Sequence, residues 1–159
     1  VTDLDRHLED GGISGVFTRV TRVGLLLDAF QHRCLDEFGL RFVDFSVLRV
    51  VELAGQLTPS ELAELTLRST GGMTQIVDRL VKQGLVLRSP DEKDRRKVVI
   101  VLTPKGRRLT DKAQVAYARE RARVLDPLSE AELHEIDAAV RRLLELLSDD
   151  AAAAQEAAS

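Results

Sequence analysis

Residues 94–103, Asp-Arg-Arg-Lys-Val-Val-Ile-Val-Leu-Thr, constrain this 159-residue chain more than any other stretch. Three consecutive cations run without a break into an alternating, largely β-branched segment, and Thr103-Pro104 follows as the cap and first turn of a helix. The segment Val98 to Leu102 reads as the return strand of a hairpin, and Leu85 to Arg88 as its outgoing strand. The intervening loop, Ser89 to Lys97, is too polar to be buried and is predicted to project into solvent as a cationic wing.

Two short helices precede the hairpin. Thr58-Pro59-Ser60-Glu61 has the form of a capping box with proline in the first turn, opening a helix that ends near Thr66 with Leu62 and Leu65 on its apolar face. Leu67, Arg68 and Ser69 form a turn, and Ser69-Thr70-Gly71-Gly72-Met73 opens a second helix running from about Thr70 to Gln83, with Gly84 as its stop. Met73, Ile76, Val77 and Leu80 fall on one face of it. Helix, turn, helix and cationic hairpin in that order are the parts of a winged helix-turn-helix, an arrangement that binds duplex DNA.

The net charge of −3 conceals how charge is distributed. Leu65 to Lys112 holds twelve Lys or Arg against five Asp or Glu, a balance of +7, while the remainder holds eleven against twenty-one, a balance of −10. One basic segment inside an acidic body can dock on phosphates while the body resists collapse onto nucleic acid.

The flanks are helical. Val16, Val20, Val23, Leu27, Phe30 and Cys34 form the seam of a long helix ending near Phe38 at Gly39. Asp44 to Ala54 is a second helix, with Phe45, Leu48 and Val51 inward and Gly55 past its end. Pro104 to about Leu125 is a third long helix, broken by Asp126-Pro127, and Ser129-Glu130-Ala131-Glu132 is a second capping box opening a last helix to about Leu147. Its Leu133, Ile136, Val140, Leu143 and Leu147 repeat in steps of three and four, a coiled-coil-like seam. Residues 148–159 are expected to be a helical extension that frays. The two seams need partners: each other within one chain, or a second chain.

No apolar run reaches the roughly 18 residues of a membrane span, and the first residues are acidic, which predicts a cytoplasmic protein with no membrane partner. One cysteine and three scattered histidines, His7, His32 and His134, predict no metal and no cofactor. No histidine lies near a paired carboxylate or nucleophile and no glycine loop follows a strand to cradle phosphate, so no catalytic residue and no enzyme is expected. A winged helix that binds protein instead would show an apolar recognition face and a neutral wing.

On the Thr70 to Gln83 helix, Gly71, Gln75, Asp78 and Lys82 face outward, flanked by Thr74 and Arg79. An outward polar face is also what any solvated amphipathic helix shows; its place beside a basic hairpin is what favours DNA. Gln75 has the amide geometry for adenine, Thr70 and Thr74 can reach a base or phosphate, and the N-terminus at Ser69, with Gly72, favours a phosphate oxygen. Asp78 would repel phosphate unless paired, and Arg79 or a wing arginine is its expected partner. The expected DNA-binding set is Ser69, Thr70, Gly72, Thr74, Gln75, Arg79 and Lys82 on the helix and Asp94, Arg95, Arg96 and Lys97 on the wing.

At these residues the chain resembles the MarR family of winged-helix transcriptional regulators. Asp94, Arg96, Leu102 and Thr103 match its wing signature, Asp-x-Arg, five residues, then Leu-Thr. Gly72-Met73-Thr74 through Asp78-Arg79-Leu80, followed by Gly84-Leu85-Val86, looks like its recognition helix. The likeness spans Gly15 to about Leu147. It implies a mainly α fold with a small β-hairpin wing, in which residues 1–39 and 104–147 dimerise and residues 40–103 form the winged lobe of one regulator domain. It also implies a homodimer reading a pseudo-palindrome, with Arg96 in the minor groove and Asp94 holding the wing arginine, and a repressor released by a small-molecule effector of unknown identity. Cys34, on the seam and without a second cysteine, is expected to be structural. The stretch Asp3 to Leu8 suggests a short extra helix; urate-responsive relatives with such an extension carry a pocket tryptophan, which this chain lacks. His32 and Arg33 are read as surface or interface groups.

Overall fold

The computed structural model describes residues 13–91 and 94–157. The expected helix at Asp3 to Leu8 lies outside them, as do Glu92 and Lys93 of the hairpin loop. The chain falls into two compact units, residues 1–119 and 120–159.

The first unit opens with α1 (Ile13–Leu35), which passes into a 3₁₀ turn (Asp36–Phe38). Gly39 ends it at φ 62°, its N–H bonding the Asp36 carbonyl at 2.9 Å while the Leu40 N–H reaches back to Leu35. Positive φ is cheap only for glycine, which is why the chain turns at that residue. Helix α2 (Phe42–Ala54) starts two residues before the expected Asp44, with Arg41 as an N-cap whose side chain makes no capping bond to the helix backbone. Strand β1 (Gln56–Leu57) has no counterpart in the sequence reading, because two residues are too few to show alternation and the strand exists only through its pairing with β3.

Helices α3 (Pro59–Leu65) and α4 (Thr70–Lys82) follow as expected. The box before α3 is fully formed: the Glu61 N–H donates to the Thr58 hydroxyl, and the Thr58 N–H and hydroxyl both donate to the Glu61 carboxylate. That carboxylate is held below the usual range by its bonds from Thr58, with Lys97 adding a smaller charge attraction. Leu67 ends α3 in the left-handed region at φ 52°, the one non-glycine residue among those described to do so. The N–H groups of Leu67 and Arg68 reach back to Glu64 and Ala63, the paired bonds that glycine usually supports.

Strand β2 (Val86–Pro90) lies one residue later at its start, and two later at its end, than the expected Leu85 to Arg88; β3 (Val98–Leu102) falls where it was expected. The sheet is antiparallel in the order β1-β3-β2, with Leu87 opposite Val101 and Pro90 opposite Val98. Pro90 is tolerated because β2 is an edge strand. Helix α5 (Pro104–Leu125) begins at the Thr103 hydroxyl, which accepts from the Gly106 N–H and donates to the Gly84 carbonyl. A Cβ at Gly106 would stand 1.9 Å from the Leu85 carbonyl oxygen, so glycine here permits α5 to pack on the backbone at the root of the hairpin.

The core of this unit is closed. Leu35, Val47, Leu48, Val51, Leu62, Met73, Val77, Leu80 and Ile100 are fully buried. Tyr117 of α5 packs on Phe30 of α1 and on Phe42 and Phe45 of α2, with ring centroids 5.7–6.0 Å apart. Cys34 is half-buried against the same core.

The second unit is the end of α5 and helix α6 (Glu130–Ala157). Ser129 and Glu132 form the expected box, whose hydrogen bonds hold the Glu132 carboxylate low. Beyond Leu147 the expected extension is helical: the run Ala151 to Ala154, strong helix formers with no breaker beside them, carries α6 to Ala157. Among the described residues no helix is long and apolar enough to cross a membrane.

Candidate nucleic-acid interface

Helix α4 is seated by an apolar face of Met73, Ile76, Val77 and Leu80, all buried, which turns Thr70, Gly71, Thr74, Gln75, Asp78 and Lys82 to solvent. Its start is capped: the Ser69 hydroxyl accepts from the Gly72 N–H at 3.2 Å. Its end carries paired back-bonds, from the Gly84 N–H to Val81 and the Leu85 N–H to Leu80, and the Lys105 ammonium donates to the Gln83 carbonyl at 2.8 Å. Gly71 has open space where a side chain would stand, so a ligand can come up to the backbone there. The Thr74 hydroxyl donates to the Thr70 carbonyl at 3.0 Å, leaving its lone pairs outward.

Of the two partners expected for Asp78, the structure has an arginine of the hairpin and not Arg79: Arg88 of β2 bonds it at 2.6 Å, coming across from the hairpin strand beside the recognition helix. Arg79, expected among the DNA contacts, turns toward the body of the lobe. Its Nε and Nη2 both donate to the carboxylate of Asp44 in the first turn of α2. Asp44 is buried, and a carboxylate taken out of water must be matched by cations, here Arg79 together with Arg41, whose Nε donates at 3.2 Å.

The wing is built by backbone bonds around two aspartates. The Lys97 N–H donates to the Asp94 carbonyl at 2.8 Å, closing a turn over Arg95 and Arg96, and the Asp94 carboxylate accepts from the Arg96 N–H at 3.1 Å. Asp91 sits one step further in: its carboxylate accepts the Asp94 N–H at 2.9 Å and the Gln56 amide of β1 at 3.4 Å. The side chains of Arg95, Arg96 and Lys97 are all exposed. Asp94 thus holds the main chain that carries Arg96. Glu61, whose carboxylate feels Lys97, marks the capped start of α3 as the neighbour of the wing root.

The sequence reading passed over Asp44, Arg88, Gln56 and Asp91. Asp44 and Arg88 are isolated charges in otherwise ordinary helix and strand patterns, and only the packing of α2 and β2 against α4 gives them partners. Among the described residues no group of three or more His, Cys, Asp or Glu is placed to hold a metal.

The MarR family model matches residues 38–97, from the 3₁₀ turn to the wing tip. The multiple antibiotic resistance protein MarR of Salmonella typhimurium is 30% identical over 100 residues, covering 58% of this chain and 69% of that protein. The chain belongs to the MarR family. An uncharacterised HTH-type regulator of Bacillus subtilis, YcgE, is 37% identical over 91 residues, and there the chain spans only 59% of the relative's length. Among solved structures, the MarR-family regulator AbsC of Streptomyces coelicolor superposes with a TM-score of 0.77 at 26% identity, over 94% of this chain and 97% of that one. Escherichia coli MarR in complex with operator DNA gives 0.75 at 23% identity, over 81% of this chain and 93% of that one, a likeness of fold. The MarR fold accounts for the third strand as well as the hairpin, since the winged lobe carries a three-stranded sheet here.

Proposed function

We propose that this protein is a sequence-specific, duplex-DNA-binding transcription regulator that works in the cytoplasm as a homodimer on a pseudo-palindromic operator. The observation that carries the reading is the pairing of one exposed polar helix face with three exposed cations. Thr70, Thr74, Gln75 and Lys82 stand outward on a helix capped at Ser69, and Arg95, Arg96 and Lys97 stand outward on a turn stitched by Asp94. Helix α4 enters the major groove, with Gln75 on a base edge and the N-terminus at Ser69 and Gly72 on a phosphate. The wing lays Arg96 in the adjacent minor groove. Arg79 is left out of the contact set because its guanidinium is bound to Asp44.

Residues 1–39 and 104–147 supply the dimer contacts and residues 40–103 the lobe that reads DNA. The exposed apolar side chains of α1, Val16, Val20, Val23 and Leu27, support a second copy as their cover. The protein acts as a repressor that a small-molecule effector releases, a binding protein rather than an enzyme.

The test is fluorescence anisotropy on the duplex upstream of the protein's own gene and on a random duplex, across a salt series, with the stoichiometry read by sedimentation. The expected result is one dimer per site, steep salt dependence and a preference of about a thousandfold or more for one sequence. No binding to any duplex at low salt would overturn the reading in favour of a protein partner.

A further inference from the structure

We propose that Asp44 is a positioning residue for DNA recognition: through Arg79 it fixes the rotation of α4 about its own axis, and so decides whether Thr74 and Gln75 meet the base edges. The inference rests on the DNA-binding reading above and adds a residue outside the interface to it.

Helix α4 has two kinds of attachment. The apolar contacts of Met73, Ile76, Val77 and Leu80 are non-directional and tolerate a small roll of the helix. The pair with Asp44 does not. Both Nε and Nη2 of Arg79 are engaged by the two carboxylate oxygens, a fork geometry that is lost with rotation. Asp44 itself cannot follow α4, because it is 2% exposed in the first turn of α2, is further bonded by Arg41 Nε at 3.2 Å, and lies between Phe42 and Phe45, which pack with Tyr117. Withdrawing Arg79 would leave a buried carboxylate with only the exposed Arg41 beside it. Arg79 lies four residues after Gln75, one turn along the same side of α4, so fixing one fixes the bearing of the other. A bidentate amide contact to a base edge needs that bearing held closely, whereas a phosphate contact from a flexible lysine does not.

The experiment uses the full chain and two probes: a duplex selected by the wild-type protein from a randomised pool, and a random duplex of equal length. Asp44→Asn and Arg79→Gln are each expected to weaken binding to the selected duplex at least about tenfold, with random-duplex affinity changed less than about twofold and the salt slope unchanged. The double variant is expected to be no weaker than either single. Amide exchange of residues 74–82 in the DNA-free protein is expected to quicken in Asp44→Asn while residues 98–102 keep their protection. Melting curves establish that each variant is folded at the assay temperature; if Asp44→Asn is not, Arg79→Lys, which keeps a cation on Asp44 but loses the fork, takes its place with the same expectation.

Equal loss on both duplexes would overturn the proposal in favour of general destabilisation. A salt slope flattened by about one in Arg79→Gln with Asp44→Asn at wild-type affinity would overturn it by making Arg79 a phosphate contact. Unchanged exchange in α4 would overturn it as well. If the wild-type protein selects no duplex, the DNA-binding reading fails first, and the exchange measurement separately decides whether the pair fixes α4.

Discussion

The winged lobe and the long helix that leads into it use the same apolar residues in opposite ways. Inside the lobe Leu48, Met73, Leu80 and Ile100 have no exposed surface, and every buried polar side-chain atom among the described residues has a partner. Along α1 the change occurs within one helix: Phe30 and Cys34 pack on the lobe core and Leu35 is buried, but Val16, Val20, Val23 and Leu27 are 42–60% exposed. Helix α6, by itself, shows Ile136, Val140, Leu144 and Leu147 in the same condition. A seam that runs on at the same spacing beyond the point where its own core ends is a surface waiting for another, and the proposed dimer supplies it. The lobe is therefore expected to owe its stability to its own interior, and the stripes to owe theirs to a second chain.

The largest effects test the lobe. Gly106→Ala drives a methyl group into the Leu85 carbonyl, which is backbone and cannot step aside, so the hairpin root must part from α5. Loss of several kcal/mol, or failure to fold, is expected in denaturant unfolding. Leu48→Ala, a cavity in a closed core, is expected to cost about 2–5 kcal/mol with an unchanged m-value. A cost below about 1 kcal/mol at Leu48 would break the comparison, because it would mean that the lobe interior yields as easily as a surface.

Next comes the stripe. Val23→Asp combined with Leu27→Asp puts two carboxylates where an apolar partner is expected, and an uncompensated buried charge costs several kcal/mol. The dimer dissociation constant is expected to rise by at least about a hundredfold in sedimentation equilibrium while the lobe keeps its near-ultraviolet signal. Unchanged mass at micromolar concentration would show that this stripe is not a dimer contact.

The same contrast explains what was legible. Capping boxes, glycine stops and the 3.6-residue period are local, and Thr58 to Glu61, Ser129 to Glu132, Gly39, Gly84 and the buried face of α4 were all readable from spacing. Strand β1 and the partners of Arg79 and Asp78 were not, since they depend on which element packs beside them: β1 needs β3, Arg79 needs the buried face of α2, and Asp78 needs β2. The reading of Arg79 as a DNA contact followed from its place on the flank of the helix, and its pair with Asp44 is visible only once α2 is packed against α4. The tail was legible for a simpler reason: with nothing to bury, residues 148–157 are still alanine-rich enough to extend the last helix, as expected from composition.

Smaller effects separate the two parts of the interface. Gln75→Ala is expected to lower discrimination at one base step of each half-site by about 1–3 kcal/mol. Arg96→Ala is expected to weaken binding on all sequences and flatten the salt slope by about one, because its backbone N–H, not its guanidinium, is what Asp94 holds. Identical profiles from the two variants would erase the distinction between reading helix and anchoring wing.

The smallest effect compares the lobe with α6 through one chemical device present in both. Glu61 and Glu132 are each held low by hydrogen bonds from the threonine or serine they cap. A carboxyl group whose folded pKa lies below its unfolded value contributes stability that is fully present above the unfolded value, near pH 4, and is lost as pH falls through the folded one. Glu61→Gln and Glu132→Gln keep an acceptor for the box but remove the titration, so each is expected to flatten the acid limb of a stability profile while changing little at pH 7. In urea unfolding from pH 6 to pH 2.5, Glu61→Gln is expected to flatten the lobe transition at every protein concentration. Glu132→Gln is expected to flatten the limb only where the dimer is populated, since in the proposed dimer it is the second chain that covers the α6 stripe. Equal flattening by both variants in dilute, monomeric protein would mean that α6 is held by its own chain, and the difference between the closed lobe and the open stripes would then be one of degree.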